Sequence, residues 1–183
     1  KREPAMGLRG IPETQIILED LEILEEMALI PPEGLKHGFA GLMNAYNGQR
    51  VGAGTVAMGI AAGAYELALK FSRERNQFGR PICEFQGLQW MLADMHIQIE
   101  AARLLLRKAA AGKSENSGGN GSGFPDMLEA AQAKIFASEM AIKVTNDALQ
   151  IFGSSGYSRN FPLERMARDA RMFTIGGGTA QIL

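Results

Sequence analysis

The sequence predicts an all-α fold: an antiparallel helical bundle preceded by one or two short β-strands. Three observations predict it. Apolar residues recur at spacings of three and four over most of the chain. The periodic stretches are long and are separated by Pro- and Gly-rich breaks. Only the first part of the chain shows strand-like alternation.

Gly7 to Gly10 is a turn signal, and Thr14 to Ile23 partly alternates and holds β-branched residues, so strands are expected there. A lone strand or hairpin cannot bury its apolar face. Residues 1–28 are therefore expected to be the tail of a β-domain lying outside this chain, and residues 29–183 a helical domain. Pro31-Pro32-Glu33-Gly34 is a break. Phe39, Leu42, Met43 and Tyr46 then fall at helical spacing. A long helix is expected from about Asn47 to Asn76, with Gly52, Gly54, Gly59 and Gly63 along it. Each glycine costs a helix about 1 kcal/mol against alanine. Close helix packing or a ligand lying on the backbone would offset this, and packing is the commoner reason.

Pro81 stops that helix. The next is expected from about Glu84 to Ala111, with the stripe Leu88, Met91, Leu92, Met95, Ile99, Ala102, Leu105, Leu106 and Ala109 facing the core. Ser114 to Gly123 is rich in Gly, Ser and Asn and reads as a flexible loop. Pro125 and Asp126 open a third helix, which runs to about Phe152 and ends in Gly153-Ser154-Ser155-Gly156. A shorter helix spans about Pro162 to Arg171, before Gly176-Gly177-Gly178-Thr179. Three long helices joined by short or flexible loops give the antiparallel bundle.

Composition narrows the function. The chain has 183 residues, is 46% hydrophobic and carries a formal net charge of −1. That suits one domain with a real core and offers no basic stripe for nucleic acid or anionic membrane. No uninterrupted apolar run reaches the roughly 18 residues of a spanning helix. Lys1-Arg2-Glu3-Pro4 is not a signal peptide, and the chain reads as the middle of a longer protein. One cysteine, Cys83, excludes an internal disulfide and points to a reducing compartment. Two histidines, His37 and His96, far apart in sequence, form no metal-ligand pattern, and no metal is expected.

Some motifs drop out. Gly52-Ala53-Gly54 follows no strand, so it is not a dinucleotide fingerprint. Ser154 and Ser155 lack the flanks of a nucleophile elbow. Three segments say more. Arg73-Glu74-Arg75-Asn76-Gln77-Phe78-Gly79-Arg80, followed by Phe85-Gln86, reads either as a basic helix end or as a phosphate clamp, because the guanidinium fork matches phosphate oxygens. Gln150-Ile151-Phe152-Gly153-Ser154 reads as a helix cap or as bare backbone open to a cofactor. Arg168-Asp169-Ala170-Arg171 leading to Gly176-Gly177-Gly178-Thr179 reads as a charged helix face and loop, or as free N–H groups facing a polar ligand atom.

Taken together, these segments resemble the acyl-CoA dehydrogenase family. The order matches: Arg-x-x-Phe-Gly, a later Phe-Gln, Leu92-Ala93-Asp94-Met95, Gln-x-Phe-Gly, Arg168 to Arg171, and a closing Gly-Thr. The resemblance covers essentially the whole chain. It implies an oxidoreductase of fatty acid metabolism, a homotetramer or dimer, with FAD between a β-domain and this helical domain. It implies an electron-transfer flavoprotein as electron acceptor, and the cytoplasm of a bacterium or the mitochondrial matrix. The N-terminal helical domain, most of the β-domain and the end of the last helix are expected outside this chain. By the same resemblance, Arg75 pairs with the FAD pyrophosphate of a neighbouring subunit, and Gln77, Phe78 and Gln86 line that site. Gln150 and the backbone of Gly153 and Ser154 meet the adenine half, while Thr179 and Gln181 contact FAD near the closing loop. Arg50 places the CoA part of the substrate and Asn47 bonds its pantetheine chain.

Family chemistry is α,β-dehydrogenation of an acyl-CoA thioester. A carboxylate removes the α-proton, the β-hydride passes to the flavin, and the thioester oxygen is held by a ribityl hydroxyl and a backbone N–H. Most members carry that carboxylate as Glu at the position of Gly177. A minority have glycine there and Glu on the long helix just before the Arg matching Arg50. Here that residue is Gln49, nearly isosteric but without useful basicity. The Gly177 N–H survives, and both base positions lack a carboxylate. Three explanations follow: a base from the absent N-terminal part, as in members acting on cyclic acyl-CoAs; a non-redox member, like the related desulfinase that releases sulfite from 3-sulfinopropionyl-CoA; or an engineered Glu-to-Gln change at 49. A non-catalytic helical scaffold is the contrasting class, and the retained flavin contacts argue against it.

Overall fold

The computed structural model describes residues 2–31, 34–112 and 123–183. Three long helices dominate it: α1 (Gly38–Glu74), α2 (Gln86–Ala111) and α3 (Met127–Phe152). Two short helices follow, α4 (Ser154–Tyr157) and α5 (Leu163–Arg171). The fold is all-α, as expected.

α1 begins earlier than Asn47, because nothing between Phe39 and Asn47 breaks a helix; the two apolar stretches join. Phe39 and Leu42 stay exposed at its start. Asp126 caps α3, accepting from the N–H groups of Leu128 (2.9 Å) and Glu129 (3.1 Å). α2 opens after a 3₁₀ turn at Ile82–Glu84. The expected loop over 114–123 lies, but for Gly123, outside the described residues, as do Pro32 and Glu33 of the expected break.

Two short strands exist, but not where the sequence suggested. β1 (Asn76–Gln77) and β2 (Arg80–Pro81) form a small antiparallel hairpin pairing Asn76 with Pro81 and Gln77 with Arg80. Its turn places Phe78 at φ 54° and Gly79 at φ 80°. Two successive positive φ angles match the twist of a tight hairpin. Residues 14–23 form no strand; only an isolated bridge joins Arg2 and Thr14. Ile16, Ile17, Leu18, Leu21 and Ile23 are exposed, with no neighbouring strand to complete a ladder.

Contacts along the helices set their directions. The glycine at 54 lies against Lys134, Ala137 and Leu106, and Phe71 stacks on Phe152 at 4.1 Å. α1 and α3 therefore run parallel. α2 runs antiparallel to both, since Tyr65 meets His96 at 5.7 Å while Leu106 meets Gly54. Ala57, Ala61, Ala64 and Ala68 of α1 and Ala130, Ala133, Ala137 and Ala141 of α3 are fully buried in one core. Small residues at the contact bring the axes close. Of the four helix glycines, Gly54 and Gly63 serve packing: a Cβ would lie 2.8 Å from Leu106 and 3.2 Å from Met166, respectively. Gly52 and Gly59 face open space. One window of α1 has the length and mean hydropathy (1.2) of a membrane span, which no uninterrupted run in the sequence had suggested. Its alanine face is buried in the bundle.

The arm at residues 2–13 docks on α5. Leu8 N–H donates to Asp169 Oδ1 (2.6 Å) and Arg168 Nη1 to the Met6 carbonyl (2.7 Å). A Cβ on Gly7 would lie 2.6 Å from the Arg168 carbonyl oxygen. Arg168 also grips Glu164 through two bonds of 2.8 and 3.0 Å, which hold the Glu164 carboxyl below its ordinary value. The Arg-Asp-Ala-Arg run thus fastens the arm to the bundle.

Candidate functional site

The residues singled out from sequence gather at two opposite ends of the bundle. One end is built on the first turns of α1 and the glycine loop. Arg50 donates through Nη1 to Asn47 Oδ1 (2.9 Å) and through Nε to the Gly177 carbonyl (3.4 Å). Asn47, itself buried, donates to the Pro125 carbonyl at 3.3 Å. The glycine loop is thereby held beside the helix turn that carries Gln49, so the two positions where a base was expected share one end of the molecule. Gln49 is exposed. Gly177 has φ 73°, and nothing lies within 4 Å of where its Cβ would stand. Thr179 and Gln181 border a cavity of about 320 Å³ with Arg171, Thr174, Glu139 and Ile142.

Lys134 also belongs to this end and was missed from sequence. Its side chain is fully buried on α3, and Nζ donates to the Gly178 carbonyl. Burial, and then the positive charge of Arg50, lower its pKa from the ordinary lysine value. Position 134 falls on the Ala130–Ala137–Ala141 face, which the packing of α3 buries.

The other end holds Arg75, Gln77, Phe78, Gln86, Gln150, Gly153 and Ser154, all of them exposed. The hairpin presents Phe78 at its tip, 91% exposed. Phe85 backs it, with the Phe78 ring edge-on at 6.2 Å and the Arg80 guanidinium 4.3 Å from the Phe85 centroid. Gly153 has φ 58° and open space where a Cβ would stand, so its backbone can be approached closely. From Arg50 to Arg75, α1 rises roughly 38 Å at 1.5 Å per residue. The two groups therefore cannot line one small site within a single chain.

Comparison with known proteins decides the family. Residues 36–183 match the family described as "Acyl-CoA dehydrogenase, C-terminal domain". The chain belongs to the acyl-CoA dehydrogenase family. A 3-sulfinopropanoyl-CoA desulfinase of Cupriavidus necator is 64% identical over 183 residues, which is all of this chain and 44% of that protein. A short-chain-specific acyl-CoA dehydrogenase of Clostridium acetobutylicum is 41% identical over 182 residues, 45% of its length. Butyryl-CoA dehydrogenase from Megasphaera elsdenii shares the structure at a TM-score of 0.87 and 38% identity, with 99% of this chain and 45% of that one covered. The chain thus spans a little under half the length of these relatives, and its residues 36–183 match the family's C-terminal domain.

Proposed function

We propose that the full-length protein is an FAD-containing acyl-CoA desulfinase acting on a 3-sulfinoacyl-CoA thioester. The observation that carries this is the absence of a carboxylate at both base positions, Gly177 and Gln49, in a chain 64% identical to a protein of that name. Loss of the sulfino group needs no base at the α-carbon. The C3–S bond breaks with its electron pair left on C3, which takes a proton. Sulfur leaves as sulfur dioxide and is hydrated to sulfite, so electrons balance without an acceptor. The Gly177 N–H would hold the thioester carbonyl, Asn47 and Arg50 the CoA chain, and Gln49 would stand as a neutral side chain near the acyl carbons.

FAD, when bound, supplies a second hydrogen bond to the thioester carbonyl from its ribityl chain. The exposed guanidinium of Arg75 suits the pyrophosphate, with Gln77, Phe78 and Gln86 beside it, and the bare Gly153–Ser154 backbone and Gln150 suit the adenine half. Thr179 and Gln181 would meet the cofactor at the other end of the chain. The 38 Å span supports two cofactors per chain contact set, one of them a neighbour's, and hence a homotetramer or dimer. Residues 1–28 would be the end of a β-domain.

Dehydrogenation with a base from the rest of the protein is the second reading, favoured by 41% identity to a short-chain dehydrogenase. Only that reading needs an electron-transfer flavoprotein. Anaerobic mixing of FAD-loaded full-length protein with 3-sulfinopropanoyl-CoA is expected to release sulfite with the flavin still oxidised. Flavin bleaching by a plain acyl-CoA would overturn the proposal. In a Gln49→Glu variant, bleaching by a plain acyl-CoA is expected to appear.

A further inference from the structure

Lys134 has no part in the chemistry above, yet its placement is costly. An ammonium taken out of water needs compensation, and a buried charge is ordinarily paired. Among the described residues no carboxylate pairs with it. Its hydrogen bond goes to the Gly178 carbonyl. The carbonyl one residue earlier, Gly177, accepts from Arg50 on the facing helix. Two cations from α3 and α1 thus take two consecutive carbonyls of one loop.

That loop has little else to fix it on this side. Gly176, Gly177 and Gly178 are three glycines in a row, with φ 73° at Gly177 and 101° at Gly178. Glycine restrains neither angle by itself. On the N-terminal side, the Ile175 and Gly176 N–H groups are held by the Met172 carbonyl at 3.0 and 2.9 Å. On the C-terminal side, Arg50 fixes the 177–178 peptide plane and Lys134 the 178–179 plane. The Gly177 N–H lies between these anchors, so its direction is set by both.

We propose that Lys134 is a positioning residue: with Arg50, it clamps the glycine loop by its carbonyls so that the Gly177 N–H meets the thioester carbonyl of the acyl-CoA. This rests on the reading that Gly177 faces the thioester. Burial, and then the charge of Arg50, lower the Lys134 pKa, and each of the two cations has its own carbonyl partner.

The test compares Lys134→Met, which is unbranched, one atom shorter, and removes the charge and the donor, with Met140→Ala, a cavity elsewhere in the buried face of α3. Both are made in the full-length FAD-loaded protein. Lys134→Met is expected to lower kcat for sulfite release about 10- to 100-fold, as misplacement of a bound substrate does, with KM for the acyl-CoA within about twofold. It is also expected to speed amide hydrogen exchange in the peptide covering Ile175 to Leu183, while Met140→Ala changes neither kcat nor that peptide. An unchanged kcat and exchange rate in Lys134→Met, or losses equal to those of Met140→Ala, would overturn the proposal. If Lys134→Met does not fold, the same criteria apply to Lys134→Gln, which is likewise one atom shorter than lysine and is neutral. If the parent protein releases no sulfite, the functional reading fails, and the exchange comparison still decides the clamp because it needs no turnover.

Discussion

Lys134 and Gly177 are the residues where local rules are most strained. The Lys134 ammonium titrates below its ordinary value of 10.5 because burial and Arg50 disfavour its charge. Between the folded and unfolded pKa values, the unfolded chain holds a proton that the folded chain has lost. Stability therefore rises with pH through that window below 10.5 and loses this gain toward neutral pH. Urea unfolding at a series of alkaline pH values is expected to show this rise in the parent and not in Lys134→Met. Gly177 differs in kind, for its surroundings are empty and its backbone is left-handed. Gly177→Glu is expected to fold, with a loss of about 1 kcal/mol in denaturant unfolding from the positive φ. Gly177 and Gln49 were legible from sequence because a missing carboxylate is a matter of residue identity. Lys134 was passed over because one lysine in an alanine-rich helix looks like a solvated face until the helix phase is known.

Among the elements, α1 shows how the same residue type answers to different neighbours. Gly59→Ala meets open space in a helix interior and is expected to stabilise by about 0.5–1 kcal/mol. Gly54→Val would press on Leu106 and on the Lys134 backbone and is expected to destabilise by about 1–3 kcal/mol. Thermal unfolding of the pair reads the contrast. Asp126→Ala removes the cap of α3 and is expected to cost about 1 kcal/mol in the same assay. The helices, their stripes and this cap were readable in advance, since each depends on residues a few positions apart. The hairpin at Asn76 to Pro81 was not, because Phe-Gly replaces the usual Asn-Gly and only its neighbours hold Phe78 at positive φ.

At the scale of the whole molecule, the outer face of α2 carries Trp90, Ile97 and Leu104, one heptad apart and 63–66% exposed. Phe39, Leu42 and the Ile16–Leu18 stretch are exposed as well. The heptad stripe fits the proposed oligomer. The double variant Ile97→Glu/Leu104→Glu in the full-length protein is expected to lower the mass read by light scattering behind size exclusion; an unchanged mass would exclude this face from the assembly.

The sequence by itself determined the helical class, the cap, the core stripe of α2, the family motifs in order and the lack of a carboxylate at 177 and 49. All of these are local patterns or residue identities. Only the tertiary structure decided that Arg50 and Lys134 converge on adjacent carbonyls, that Arg168 and Asp169 fasten the arm, and that the residues expected to meet flavin split between two distant ends. Those facts depend on the direction and phase in which α1 and α3 pack, and they join residues more than a hundred positions apart in one case and more than forty in another. No short-range pattern encodes such a meeting; close-packed alanine faces do.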